Sequence, residues 1–93
     1  MRALERSSAF KRDYKREVKG RHRATLDADL ILVLTALADD RQLGPHHCDH
    51  ELSGEWKGYR ECHIRPDLLL IYRKSGAGLL RLARLGSHSE LFG

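Results

Sequence analysis

Apolar positions recur about every four residues over the first 40 positions and every second residue after position 55. Phe10, Tyr14 and Val18 fall on one stripe, the spacing of an α-helix. Ser7 or Ser8 offers an N-cap oxygen before it, and Gly20 stops it. Leu26, Leu30, Val33, Leu34 and Leu37 form a second stripe, which predicts a helix from about Arg21 to Asp39. The tight link between the two makes them an antiparallel hairpin. Residues 2 to 6 carry a weaker signal for a short edge strand. Asp39 to Gly54 shows no period, and Gly44-Pro45 interrupts it.

The alternating pattern then predicts a strand over Trp56 to Ile64, with Tyr59, Glu61 and His63 on one face and Arg60, Cys62 and Ile64 on the other. Arg65-Pro66-Asp67 is a turn, because proline cannot donate to a ladder. Leu68 to Tyr72 is apolar on both faces, the signature of a buried strand. Ser75-Gly76-Ala77-Gly78 is a hairpin turn, and Leu79 to Leu85 is the next strand. Gly86 ends it, and Ser87 to Gly93 is a tail with room for one helical turn. The predicted order is β-α-α-β-β-β, an α+β fold with an N-terminal helix hairpin packed on a small twisted antiparallel sheet. The hairpin covers one sheet face and leaves the other open, with Tyr59, Glu61 and His63 looking out of it. At 93 residues, positions 1–93 form a single domain, since half that length makes a marginal core.

Composition supports a folded chain: 41% hydrophobic and 32% charged residues give a core under a charged surface and exclude disorder. The longest apolar runs, Leu30 to Leu34 and Leu68 to Tyr72, have five residues, against the roughly 18 of a membrane span. The first residues lack the apolar stretch of a signal peptide. These features predict a cytoplasmic protein with no membrane contact, and Cys48 and Cys62 as free thiols.

The net charge is +4, with 17 Lys/Arg against 13 Asp/Glu, and its distribution is more telling. Residues 1 to 23 balance at +6 (nine basic, three acidic), residues 24 to 55 at −6 (one and seven), and residues 56 to 93 at +4 (seven and three). Clustered Lys/Arg is the electrostatic footprint of a nucleic-acid binder; a solvated helix face accounts for it equally well. Lys11, Arg12, Lys15, Arg16 and Lys19 lie opposite the Phe10 stripe.

Five of the six histidines follow residue 45: His46, His47, His50, His63 and His88. Histidine can both take and give a proton near neutral pH. Several on one sheet face with an arginine nearby suit RNA cleavage without metal. One group takes the 2′-hydroxyl proton, another protonates the leaving 5′-oxygen, and the arginine offsets phosphorane charge. Zinc is the competing reading, since His46, His47, Cys48, His50, Cys62 and His63 are all ligand types. However, no Cys-x2-Cys pair exists, only His46 and His50 have the His-x3-His spacing, and Cys62 and His63 point to opposite strand faces. His46 and His47 fit ordinary loop histidines, and Asp67 after a turn proline fits a local cap. Trp56 and Tyr59 fit strand packing. Phe92, on the tail, has little core to reach and is free to stack on a base.

Two segments carry a family resemblance. Asp49 to Tyr72 reads DHELSGEWKGYRECHIRPDLLLIY, and Arg84 to Gly93 reads RLGSHSELFG. Together they resemble the YafQ family of bacterial toxins in the RelE/ParE superfamily; the N-terminal half agrees in layout and basic character. The resemblance implies a type II toxin–antitoxin toxin with a RelE-like fold, an endoribonuclease that enters the ribosomal A site and cuts mRNA without a metal or other cofactor. It implies cleavage residues at His50, His63, Asp67, Arg84, His88 and Phe92. It also places a small core-facing residue where Cys62 stands, which weakens the zinc reading. The basic helix face, with Lys57 and Arg60, is the expected contact to ribosomal RNA. The expected partners are the 70S ribosome, mRNA and an antitoxin with a ribbon-helix-helix DNA-binding part and a disordered toxin-wrapping tail, operator DNA being reached only through it. Two alternatives differ in class. A ParE-like toxin binding DNA gyrase would not need the histidine set, and a non-catalytic member would act as co-repressor with its antitoxin.

Overall fold

The computed structural model describes all of residues 1–93. The chain runs through β1 (Ala3–Arg6), α1 (Ser8–Glu17), α2 (Leu26–Ala38), β2 (His50–Glu51), β3 (Arg60–Arg65), β4 (Leu68–Ser75), β5 (Leu79–Gly86) and α3 (His88–Phe92), with single 3-10 turns at Pro45–His47 and Gly54–Trp56. No helix is long and apolar enough to cross a membrane.

The α+β fold and the helix hairpin follow the pattern of the sequence. Ser7 is the cap of α1: its hydroxyl accepts from the Phe10 amide at 2.9 Å. The main core lies between the helices and one sheet face. It joins Phe10, Leu26, Leu30, Val33 and Leu37 to Cys62, Ile64, Leu68, Leu70, Tyr72, Leu80, Leu82 and Leu85. Leu68 to Tyr72 is buried on both faces, as a central strand must be.

The sheet differs from the antiparallel expectation. Its order is β1-β5-β4-β3-β2, and β1 pairs with β5 in parallel, Ala3 opposite Leu79 through Arg6 opposite Leu82. The first strand thus returns beside the last, and the sheet is mixed. Residues 18 to 25 are not helix; successive turns occupy them, closed by bonds such as Arg23 N–H to the Gly20 carbonyl. This stretch has no apolar residue between Val18 and Leu26 except Ala24, so no packing holds a helical turn there. Trp56 to Tyr59 is not strand either. Gly54 and Gly58 sit at positive φ, +66° and +92°, and fold the segment back on itself.

That fold-back changes the second face. Leu69, Ile71, Ala83 and Leu91 form a smaller buried cluster there, with Leu52, Trp56 and Tyr59 packed against it. The face is therefore open only in part, being roofed by the 52–59 segment at one end and by α3 at the other. The tail is an anchored helix. Ser87 and Glu90 form a reciprocal capping box, and Leu91 is buried.

Candidate active site

Strand register places the candidate residues. His50 pairs with Glu61, Glu61 with Ile71 and Ile71 with Arg84. The next row runs from His63 through Leu69 to Gly86. Since Ile71 and Leu69 belong to the second-face cluster, both rows look away from the helix hairpin. The face assignment of Tyr59, Glu61 and His63 from alternation agrees. Gly86 is two strand spacings from His63, about 10 Å, and leads directly into Ser87 and His88. The sheet thus brings His50, His63, Arg84 and the α3 pair His88 and Phe92 to one face.

Each is held differently. The His50 Nδ1–H donates to the Cys48 carbonyl at 2.8 Å, and its Nε2 lies 3.3 Å from Glu61 Oε2. A proton on Nε2 makes this contact an ion pair; without one, two acceptors face each other. Glu61, expected to look out, is instead buried beside His50. The His63 carbonyl accepts from His47 Nδ1 at 2.6 Å, which fixes the free edge of β3 beyond β2. The His88 and Phe92 rings stand one helical turn apart with centroids 5.0 Å from each other. Both residues are exposed.

Arg84 is braced by a carboxylate that the sequence reading passed over. Asp13 on α1 is buried and receives Arg84 Nε at 2.7 Å, Arg84 Nη2 at 3.2 Å and the Leu85 amide at 3.0 Å. Burial pushes the Asp13 carboxyl up. The Arg84 hydrogen bond, the Leu85 amide and the charges of Arg84 and Arg16 outweigh it and leave the carboxyl below its usual value. The Arg84 guanidinium is correspondingly raised, first by its bond to Asp13. The geometry arises because β1 ends at Arg6 while β5 continues to Gly86. Side chains of α1 and its cap then serve the bare strand edge: Ser7 Oγ donates to the Ala83 carbonyl and Arg16 to the Leu85 carbonyl.

Asp67 lies in the β3–β4 turn, where His22 Nε2 approaches Oδ1 at 2.7 Å and Arg21 Nη1 approaches Oδ2 at 3.0 Å. Its carboxyl is held below the ordinary range, chiefly by His22. Neither Arg21 nor His22 was singled out from the sequence, where the only signal was a lone histidine in a basic link.

The basic surface divides. Lys11, Arg12, Lys15 and Lys19 are exposed on or just after α1, and Lys57 is exposed in the 52–59 segment. Arg16 does not belong with them: it pairs with Asp13, Glu17 and Glu90. Arg60 is also committed, to Asp49 and Glu51, and its strand position faces the helix side. Both are engaged in ties within the fold. Asp49 accepts from Tyr72 Oη at 2.5 Å as well, so the acidic loop is pinned to β4.

Cys48 and Cys62 are free thiols, Cys62 buried with its thiol pushed up by burial. No group of three His, Cys, Asp or Glu stands close enough to hold a metal ion.

The family model for YafQ, a bacterial toxin of type II toxin–antitoxin systems, matches residues 2–93. The mRNA interferase toxin YafQ of Escherichia coli K12 is 35% identical over 92 residues, covering 97% of this chain and 99% of that one. The crystal structure of the E. coli DinJ-YafQ complex contains a chain 37% identical to this one, with full coverage of both and a TM-score of 0.83. A metal-bound toxin from Helicobacter pylori is 43% identical, covering 99% of this chain and all of that one, with a TM-score of 0.84. Two blocks of sequence, the whole fold and full-length relatives agree, and the chain belongs to the YafQ family of toxins from bacterial type II toxin–antitoxin systems.

Proposed function

We propose that this chain is an endoribonuclease toxin that cuts mRNA in the A site of the translating ribosome, by acid/base catalysis from its own side chains. The observation that carries the reading is the gathering of His50, His63 and His88 with Arg84 and Phe92 on one sheet face. The E. coli relative is named an mRNA interferase, which supports the same substrate. The site is shallow, so RNA must be presented to it by a larger body; the exposed lysines and Arg12 of the α1 region suit ribosomal RNA phosphates.

His63 is the general base in this reading, because its ring carries no ion pair while both nitrogens of His50 face acceptors. It takes the 2′-hydroxyl proton as that oxygen attacks phosphorus. Asp67 is the orienting carboxylate. Arg84, held by Asp13 at Nε and Nη2, offers the Nη1–Nη2 edge of its planar fork to two phosphate oxygens. His88 protonates the departing 5′-oxygen, and Phe92 stacks on a base. The products are a 2′,3′-cyclic phosphate and a 5′-hydroxyl, since the nucleophile is the neighbouring oxygen and water takes no part.

The partner is an antitoxin, as in the DinJ-YafQ complex: a ribbon-helix-helix protein with an acidic disordered tail that folds over the basic surface, and through which the pair reaches operator DNA. A toxin that acts on ribosomes is expected in the cytoplasm. The decisive test is His88→Ala, expected to slow cleavage about 10²–10⁴-fold while ribosome binding survives. A 5′-thio leaving group needs little protonation and should restore the rate; no rescue removes His88 as the acid. Unchanged cleavage on ribosomes by a His63→Ala, His88→Ala double variant overturns the acid/base reading of this face, and no cleavage by the wild-type chain on translating ribosomes overturns the nuclease reading.

A further inference from the structure

We propose that His22 is a positioning residue for cleavage, acting through Asp67. The inference rests on the reading of Asp67 as a working carboxylate. His22 lies on the α1–α2 link, 45 residues from Asp67 in sequence, yet its Nε2 meets Oδ1 at 2.7 Å while Arg21 takes Oδ2 at 3.0 Å. One donor on each oxygen prevents the carboxylate from rotating. A carboxylate has about four acceptor sites, so one on each oxygen stays free for a substrate hydroxyl or an imidazole.

Exposure separates the two partners. The His22 side chain is 19% exposed and that of Asp67 43%, so the imidazole lies beneath and the carboxylate presents its remaining acceptors outward. The link itself is fastened to the same end of the sheet. Arg65, at the end of β3, donates to Asp29 at 2.7 Å and to Thr25 at 3.1 Å, and the Thr25 amide closes a turn on the His22 carbonyl. The imidazole is therefore aimed at the turn by a backbone that is tied down on its far side. The bond also keeps Asp67 ionised into the acid range, so it acts as an acceptor and not as an acid.

The test is single-turnover cleavage on programmed ribosomes by His22→Ala, His22→Gln and Asp67→Asn, with thermal stability measured in parallel. Outer partners of this kind change activity by about 10–100-fold. His22→Ala is expected to lose rate in that range with ribosome affinity unchanged. His22→Gln, which can still donate to Oδ1, should recover most of the rate. Wild-type cleavage by His22→Ala overturns the inference, as does a loss that Gln does not rescue or that tracks ribosome affinity or melting temperature. If Asp67→Asn cleaves at full rate, the reading of Asp67 fails first and takes this one with it. If Asp67→Asn is slow and His22→Ala is not, this inference alone fails.

Discussion

Asp13 sets the position of Arg84, and its chemistry is testable without RNA. A buried carboxylate that receives a bidentate arginine and a strand amide is costly to remove, because the arginine and amide lose their acceptor. Asp13→Ala should lower stability by about 3 kcal/mol, read as a shift of the urea midpoint. The pH dependence has a definite sign. The folded carboxyl titrates below its usual value, so its stabilisation is complete above the unfolded value near ~3.9 and is lost as pH falls through the lower folded value. The gap in urea midpoint between wild type and Asp13→Asn should therefore be widest at neutral pH and shrink below about pH 4. A gap that grew on acidification would contradict the ion-pair account. Asp13 was hard to read from sequence because it sits among charges, one position before Tyr14 in a helix that is basic on its exposed side. Only its buried neighbour Phe10, three residues back, marks it as inward. The histidines were legible because their number is unusual; the partners of Asp67 were not, because a two-residue contact across 45 positions leaves no local pattern.

Two elements carry predictions of their own. Reversing charge at Lys11, Arg12 and Lys15 on α1 should abolish cleavage on ribosomes with the circular dichroism spectrum and melting temperature unchanged, because these side chains are exposed and unpaired. Reversal at Arg16 should instead weaken the fold, since it ties α1 to α3 and to β5. At α3, a Cβ on Gly86 would lie 2.7 Å from Arg16 Nη2, 3.1 Å from Glu90 Oε1 and 3.3 Å from Leu91 Cδ2. Gly86→Ala should turn the flexible Arg16 guanidinium and Glu90 carboxylate aside and so loosen the tie between α1 and α3; faster hydrogen exchange confined to residues 88–92 would report the loosening. Ser87→Ala removes the cap of the same helix and should cost about 1 kcal/mol locally. Elements with three or more periodic apolar positions were readable in advance: α1, α2, β4 and β5. The two-residue β2 has no period to read, and Trp56 to Tyr59 imitates a strand by alternation while Gly54 and Gly58 bend it away.

For the molecule as a whole, charge placement predicts a steep dependence of ribosome binding on salt, with each lost phosphate contact reducing the slope by about one unit. The basic ends and acidic middle of the sequence anticipated that asymmetry, and the paired Arg16 and Arg60 show its limit: formal charge counts side chains, whereas binding depends on those left unpaired. The feature with the widest consequence is the parallel pairing of β1 with β5. Residues 3–6 hydrogen-bond to residues 79–82, so the first strand made must wait for nearly the last before it finds its partner. Contacts of such long range form late and slowly. A nascent chain ending before Leu79 has no complete sheet and no platform on which His88 could be presented. The site proposed above is therefore absent until β5 has been made and paired with β1, and an antitoxin already in the cell has that folding time in which to engage the chain. Fragments ending at Gly78 should remain unfolded by hydrogen exchange, whereas the full chain folds in a single slow phase.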